Sequence, residues 1–129
     1  MVRSDGTAAL AAARDVIDRD FARRVSIARL ARLTSQSTFQ FIRAFRKAYG
    51  VTPGQHLRAR RIARACELLT STPTPVTEIG RAVGYRSLGT FSRVFRAVTG
   101  ESPRAYRRRT RKPVYIPGCF VRMYRADTP

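Results

Sequence analysis

Five residues of this chain return in the same order and with the same gaps. Phe41, Arg43, Phe45, Gly50 and Pro53 are matched by Phe91, Arg93, Phe95, Gly100 and Pro103, each 50 positions further on. Two aromatic residues four apart give a helix one buried stripe; the glycine supplies a stop and the proline a fresh start. A chain that carries this device twice must build two similar helical units. With 129 residues in all, each unit is small and the buried core of each is modest.

The rest of the chain fills in around that repeat. Leu10, Ala13, Ile17 and Phe21 stand at helical spacing in residues 8–21, which predicts a first amphipathic helix. Ser26 opens a short segment in which Ile27, Leu30 and Leu33 are expected to share a face, and Thr34, Ser35 and Gln36 form a polar break. Ser37 is placed to cap a helix that runs to Tyr49 and stops at Gly50. The break lacks a glycine at Thr34 and Ser35, which raises a question of backbone strain there. Thr52, Pro53 and Gln55 have the pattern of a capping box with proline at the first helical position. They start a long helix over about 53–69, with Leu57, Ile62, Cys66 and Leu69 on one stripe and Arg58, Arg60, Arg61 and Arg64 beside it. Residues 71–75 end that helix and are expected to cap a short one from Pro75 to Val83, with Val76, Ile79 and Val83 inward. Gly84 stops it and Ser87 caps residues 88–99. In the two repeated helices the inward sets are expected to be Phe41, Ala44, Phe45 and Ala48, and Phe91, Val94, Phe95 and Val98.

Charge narrows the choice of partner. The chain holds 26 Lys plus Arg against 8 Asp plus Glu, a formal net charge of +18. Nearly all of the excess is arginine, whose planar fork matches phosphate and guanine edges better than an ammonium does. A solvated basic surface accounts for some of it but not for the shortage of acids. A duplicated, basic, helical chain points to a partner that is repetitive and anionic, and double-stranded DNA is that partner. The outward faces of the repeated helices agree. The first presents Phe39, Gln40, Ile42, Arg43 and Arg46; the second presents Leu88, Thr90, Ser92, Arg93 and Arg96. Arginine can donate twice to guanine, and an exposed Phe39 or Ile42, meaningless against water, can meet a thymine methyl. Base reading is expected of Phe39, Gln40, Ile42, Arg43, Leu88, Thr90, Ser92 and Arg93. For Arg46 and Arg96 base reading and phosphate contact both stay open, and they are grouped with Lys47 and Arg86 as phosphate contacts.

Other classes have less to stand on. No apolar run is long enough for a membrane span, and the start of the chain lacks a secretory apolar stretch, so a cytoplasmic protein is expected. Cys66 and Cys119 are isolated thiols and His56 is the one histidine, so neither a metal site nor any cofactor is expected. There are no paired carboxylates, no nucleophile with a histidine and no phosphate-cradling glycine loop, which argues against an enzyme. His56 stands where the second copy has Tyr106, as a core residue. Single-strand RNA readers use aromatic platforms on sheets, whereas the phenylalanines here lie on inward helix faces.

From Ser26 to Arg109 the chain carries FxRxFxxxxGxxP twice, IARLAR in the first unit, VTEIGRAVGYRS in the second and SPRAYRRR at the end. This resembles the DNA-binding domain of the AraC/XylS family of transcriptional regulators over residues 9–109. The resemblance implies an all-α fold of seven helices, with helix-turn-helix motifs at about 28–49 and 76–99 joined by the linker helix. It implies that helices 38–49 and 88–99 enter successive major-groove segments. It also places Arg43 and Arg93 at the family's recurrent arginine, and Ser37 and Ser87 where helix starts approach phosphate. Gly89 and the apolar Ile42 depart from the family's pattern at the reading surface. The stand-alone branch of the family acts mainly by activation, recruiting RNA polymerase, and a monomer reading an asymmetric site is expected. Residues 110–129 are expected to form an irregular or hairpin tail, serving as a packing segment or as a contact for a small effector or partner. Cys119 within it is a minor candidate for a redox sensor.

This reading predicts that duplex DNA outcompetes RNA of equal length for the purified protein. Fluorescence anisotropy should show affinity falling steeply with salt, by a log–log slope of about 0.9 per phosphate neutralised. Equal affinity for both nucleic acids would contradict it.

Overall fold

The computed structural model describes residues 3–111, which form seven α-helices with no strand among them. In chain order they are α1 (Arg3–Asp20), α2 (Ile27–Leu33), α3 (Thr38–Tyr49), α4 (Pro53–Ser71), α5 (Val76–Ala82), α6 (Leu88–Thr99) and α7 (Pro103–Thr110). The tail beyond Arg111, with Cys119 and the expected hairpin, lies outside the described residues. The helix starts depend on local hydrogen bonding. Ser37 Oγ accepts the Gln40 amide at 3.1 Å while Gln40 Oε1 accepts the Ser37 amide at 3.0 Å. Thr52 and Gln55 repeat that reciprocal cap at the head of α4, with Pro53 behind it. The stops at Gly50 and Gly100 are both left-handed, at φ 83° and 90°.

Two cores form. Ala13 and Ile17 of α1, Leu30 and Ala31 of α2, and Phe41 and Phe45 of α3 make the first. Ile62, Ala65 and Leu69 of α4 meet Ile79, Val83, Phe91 and Phe95 in the second. The repeat in sequence is a repeat in space. Phe41 and Phe45 meet edge to face at 5.8 Å and 66°, and Phe91 and Phe95 at 5.7 Å and 65°. His56 packs 5.9 Å from Phe45 as Tyr106 packs 5.5 Å from Phe95, and His56 Nε2 also lies 2.7 Å from Asp18 Oδ1. α4 joins the halves: Leu57 packs on the first core, whereas Ile62, Ala65 and Leu69 belong to the second. Phe21, just past the end of α1, crosses over and packs against the second core.

Four expectations change. Leu33 is 67% exposed, because Ala31 rather than Leu33 completes the face of Ile27 and Leu30. Val98 is exposed, as is Ala48 at the matching place, since Phe91 and Phe95, like Phe41 and Phe45, already fill the contact with their neighbours. Residues 71–75 give α5 no side-chain cap, because Pro75 occupies the capping position.

The turns explain a hidden irregularity. Thr34 and Val83 end their helices with the same backbone angles, φ −98° and ψ 8°. Gln36 N donates to Ala31 O at 3.0 Å as Tyr85 N donates to Gly80 O at 2.9 Å. These partners are 49 positions apart, not 50, so the second turn carries one extra residue, Arg86, before its cap. In each turn the next residue is left-handed: Ser35 at φ 59° and Gly84 at φ 108°. A Cβ at Gly84 would sit 2.8 Å from Arg61 Nε and 3.0 Å from the Phe21 carbonyl oxygen. We therefore expect Gly84→Ala to destabilise the protein by about 1–2 kcal/mol from backbone strain alone, and further by displacing Arg61. Urea unfolding would measure it; unchanged stability would refute the close approach.

Candidate nucleic-acid interface

On α3 the outward side chains form one basic stripe. Phe39, Gln40, Arg43, Arg46 and Lys47 are exposed, and at spacings of three and four they are neighbours along the helix surface. Gln40, Arg43, Ala44, Arg46 and Lys47 line a surface hollow of about 620 Å³. Arg43 is held within this stripe: its guanidinium lies over the Phe39 ring, 5.5 Å from the centroid. Phe39 is 67% exposed, so it offers one side to Arg43 and keeps its edge open. Gln40 spends its carbonyl oxygen on the cap at Ser37, which leaves its amide NH₂ free to donate. Ile42, expected to be exposed, is half-buried at the flank of the stripe.

α6 is the barer copy. Arg86, Ser87, Leu88, Arg93 and Arg96 are exposed, whereas Thr90 and Ser92 are half-buried. Ser87 Oγ accepts the Thr90 amide at 3.1 Å and donates to Thr90 Oγ1 at 3.1 Å, so the Thr90 hydroxyl is tied to the cap. Ser92 and Leu88 line a hollow of about 420 Å³ with Val76 and Thr77 at the start of α5 and Pro103, Arg104 and Arg107 of α7. The position matching Phe39 is Gly89, with nothing within 4 Å of where a Cβ would stand. Arg93 therefore has no ring there to hold it.

Some of the cations are engaged within the fold. Arg60, Arg61 and Arg107 donate to backbone carbonyls within the fold, and Arg64 and Arg109 pair with Glu67 and Glu101. The hydrogen bond from Arg109 holds the Glu101 carboxyl below the usual carboxylate range. Among the described residues, none of Arg43, Arg46, Lys47, Arg86, Arg93 and Arg96 forms an ion pair with an acidic side chain. Burial pushes the Cys66 thiol pKa up, away from a reactive thiolate. No group of three or more His, Cys, Asp or Glu side chains able to hold a metal occurs among the described residues. None of the described helices is long and apolar enough to cross a membrane.

Residues 30–109 match the family model described as a helix-turn-helix domain. The chain belongs to the AraC-type helix-turn-helix family of DNA-binding transcriptional regulators. It is 42% identical to the MmsAB operon regulatory protein of Pseudomonas aeruginosa, over 69% of this chain but only 29% of that longer protein. It is 34% identical to the regulatory protein SoxS of Escherichia coli, over 72% of this chain and 87% of SoxS. Among solved structures it resembles the DNA-binding domain of AdpA in complex with a target DNA, at a TM-score of 0.72 and 30% identity, over 78% of this chain and 90% of that one.

The sequence placed the helices α3 and α6 but missed how Arg43 is held. The signal was available, since residues 39 and 43 are four apart on one helix. Replacing Phe39 with alanine should free Arg43 and lower affinity for a selected site by about 0.5–1 kcal/mol relative to random duplex, the worth of an exposed cation–π pair. Parallel titrations of the two duplexes would show it; an equal loss on both would deny Phe39 a part in reading sequence.

Proposed function

We propose that this AraC-type domain reads DNA as a monomer, laying α3 and α6 into successive major-groove segments of one duplex face. The observation that carries the reading is the pair of matched, N-capped helices whose outward cations have no acidic partner among the described residues. Such helices gain from meeting phosphate at their starts and base edges along their faces. Successive segments lie one turn, about 34–36 Å, apart, so the site consists of two short boxes in fixed order. The AdpA domain, bound to its target DNA, supports the same use of this fold.

The roles divide by chemistry. Arg43 and Arg93 donate to guanine O6 and N7, with Phe39, Gln40, Leu88 and Thr90 beside them and Ile42 and Ser92 at the flanks. Ser37, Arg46, Lys47, Arg86, Ser87 and Arg96 hold the backbone. Regulation is by activation, with RNA polymerase as the second partner in the bacterial nucleoid, a reading that rests on the family resemblance. In vitro transcription from a template bearing the selected site tests it.

Site selection from random duplex at near-physiological salt should yield an asymmetric two-box sequence. On that site Arg93→Ala should cost about 1–3 kcal/mol and relax preference at one base pair, whereas Arg96→Ala should weaken all duplexes alike and lower the salt slope by about 1. Identical losses on specific and random DNA for both variants would remove the base-reading role from Arg93.

A further inference from the structure

The two units meet at one side chain that belongs to neither core. Arg61, midway along α4, donates from Nε to the Phe21 carbonyl at 2.7 Å and from Nη2 to the Arg23 carbonyl at 3.0 Å. Both acceptors sit just past the end of α1, in the first unit. The same guanidinium lies 5.0 Å from the centroid of the Tyr85 ring, in the turn between α5 and α6 of the second unit. It also occupies the space that a Cβ on Gly84 would need. Its neighbour Arg60 holds the same end of α1: it donates to Asp18 O at 3.3 Å, approaches Asp18 Oδ1 at 3.4 Å and lies 4.6 Å over the Phe21 ring.

We propose that Arg61 is a positioning residue that sets the distance and angle between the two reading helices, and hence which spacing of the two DNA boxes the protein accepts. The proposal rests on the two-box reading above. A planar fork can hold two carbonyls and lie on a ring at once; a lysine ammonium is a single point that cannot do all three. Without the fork, the first unit keeps its own core and α4 stays helical, but the end of α1 and the turn at Gly84 and Tyr85 lose their common anchor. Rotation of one unit against the other then becomes easier, with only α4 and Phe21 left to oppose it. Changing the spacer by one base pair moves the second box by about 3.4 Å along the axis and about 35° around it, so the angular freedom of the units decides how sharply spacing is read.

Two variants and two measurements test this. In the full chain, Arg61→Met keeps the aliphatic stem and Arg61→Lys keeps the charge. Each would be titrated against the selected two-box duplex, duplexes with the spacer one base pair longer or shorter, and duplexes carrying a single box. Arg61→Lys and Arg61→Met should bind single boxes as the parent does, while discrimination between the selected spacing and its neighbours falls by about 10-fold, within the usual range of coupling between two sites. A parental spacing profile with affinity lost equally on one-box and two-box DNA would overturn the proposal.

The second measurement needs no DNA. With Ala48→Cys and Val98→Cys, both exposed and 50 positions apart, in a Cys66→Ala, Cys119→Ser background, spin labels report the distance between α3 and α6. The distribution should be narrow with Arg61 and visibly broader with Arg61→Lys; equal widths would overturn the proposal even where Arg61→Met fails to fold. If the parent selects no two-box site, the two-box reading itself fails, and the label distances still decide whether Arg61 fixes the units.

Discussion

A unit of three or four short helices buries only a modest apolar surface, and in this chain one unbroken helix serves two such cores. α4 gives Leu57 to the first core and Ile62, Ala65 and Leu69 to the second, within a single run from Pro53 to Ser71. Because the helix is continuous, rotating either unit about α4 would drag the other's buried side chains. Phe21 strengthens the coupling, since it leaves α1 in the first unit and packs on the second. The orientation of α3 relative to α6 therefore depends on the stiffness of α4 and on the side chains that tie its middle to both neighbours.

Within this shared frame the two copies have diverged where they face outward and stayed alike where they face inward. The edge-to-face phenylalanine pairs agree to 0.1 Å and 1°, with 5.8 Å and 66° in one copy against 5.7 Å and 65° in the other. Outside, Phe39 supports Arg43 whereas Gly89 leaves Arg93 unsupported. An arginine already lying on a ring gives up less side-chain freedom when it docks than one that is free to wander, a cost of up to about 2 kcal/mol for a fully mobile side chain. Arg43 of the first unit is thus held in advance, and Arg93 of the second is not. The extra residue Arg86 adds an exposed cation beside the second helix start that the first unit has no counterpart for.

The helices, their caps and the two-unit plan were legible in the sequence because each depends on residues within a few positions of one another. The caps at Ser37, Thr52 and Ser87 and the stops at Gly50, Gly84 and Gly100 belong to that local set. The AraC-type resemblance added the joining of the units through one linker helix. Leu33, Ala48 and Val98 were misread because spacing tells which residues share a helix face but not how wide the contact is. A short helix packed through Leu30 and Ala31 has no partner left for Leu33. Ile42 was misplaced for a related reason: it lies at the boundary of the stripe, where partial burial depends on the neighbouring helix. The 49-residue offset of the first helix of each motif was hidden because the 50-residue match begins only at the caps of the second helices, Ser37 and Ser87. Arg60 and Arg61 were read as cations beside a stripe, since their partners lie about 40 residues away and are backbone carbonyls, which carry no sequence signature.

Those carbonyl partners give the charge a second role. A net +18 works against a compact state, because like charges are crowded as the chain folds. Part of the excess is turned into stability by being placed where helices end. Arg61 reaches two carbonyls at the end of α1, and Arg107 donates to Leu69 O at 3.1 Å and Thr72 O at 3.0 Å at the end of α4. Cations there meet the negative end of the helix dipole, worth about 0.3–1 kcal/mol each at exposed sites, while satisfying carbonyls that have no partner within the helix. These arginines are already engaged and have little to offer a phosphate. The cations of α3, α6 and the turn before α6 have no acidic partner among the described residues, so no ion pair offsets their mutual repulsion there. The same excess of charge that opposes folding is thus partly engaged at helix ends inside the protein and otherwise carried on its surface.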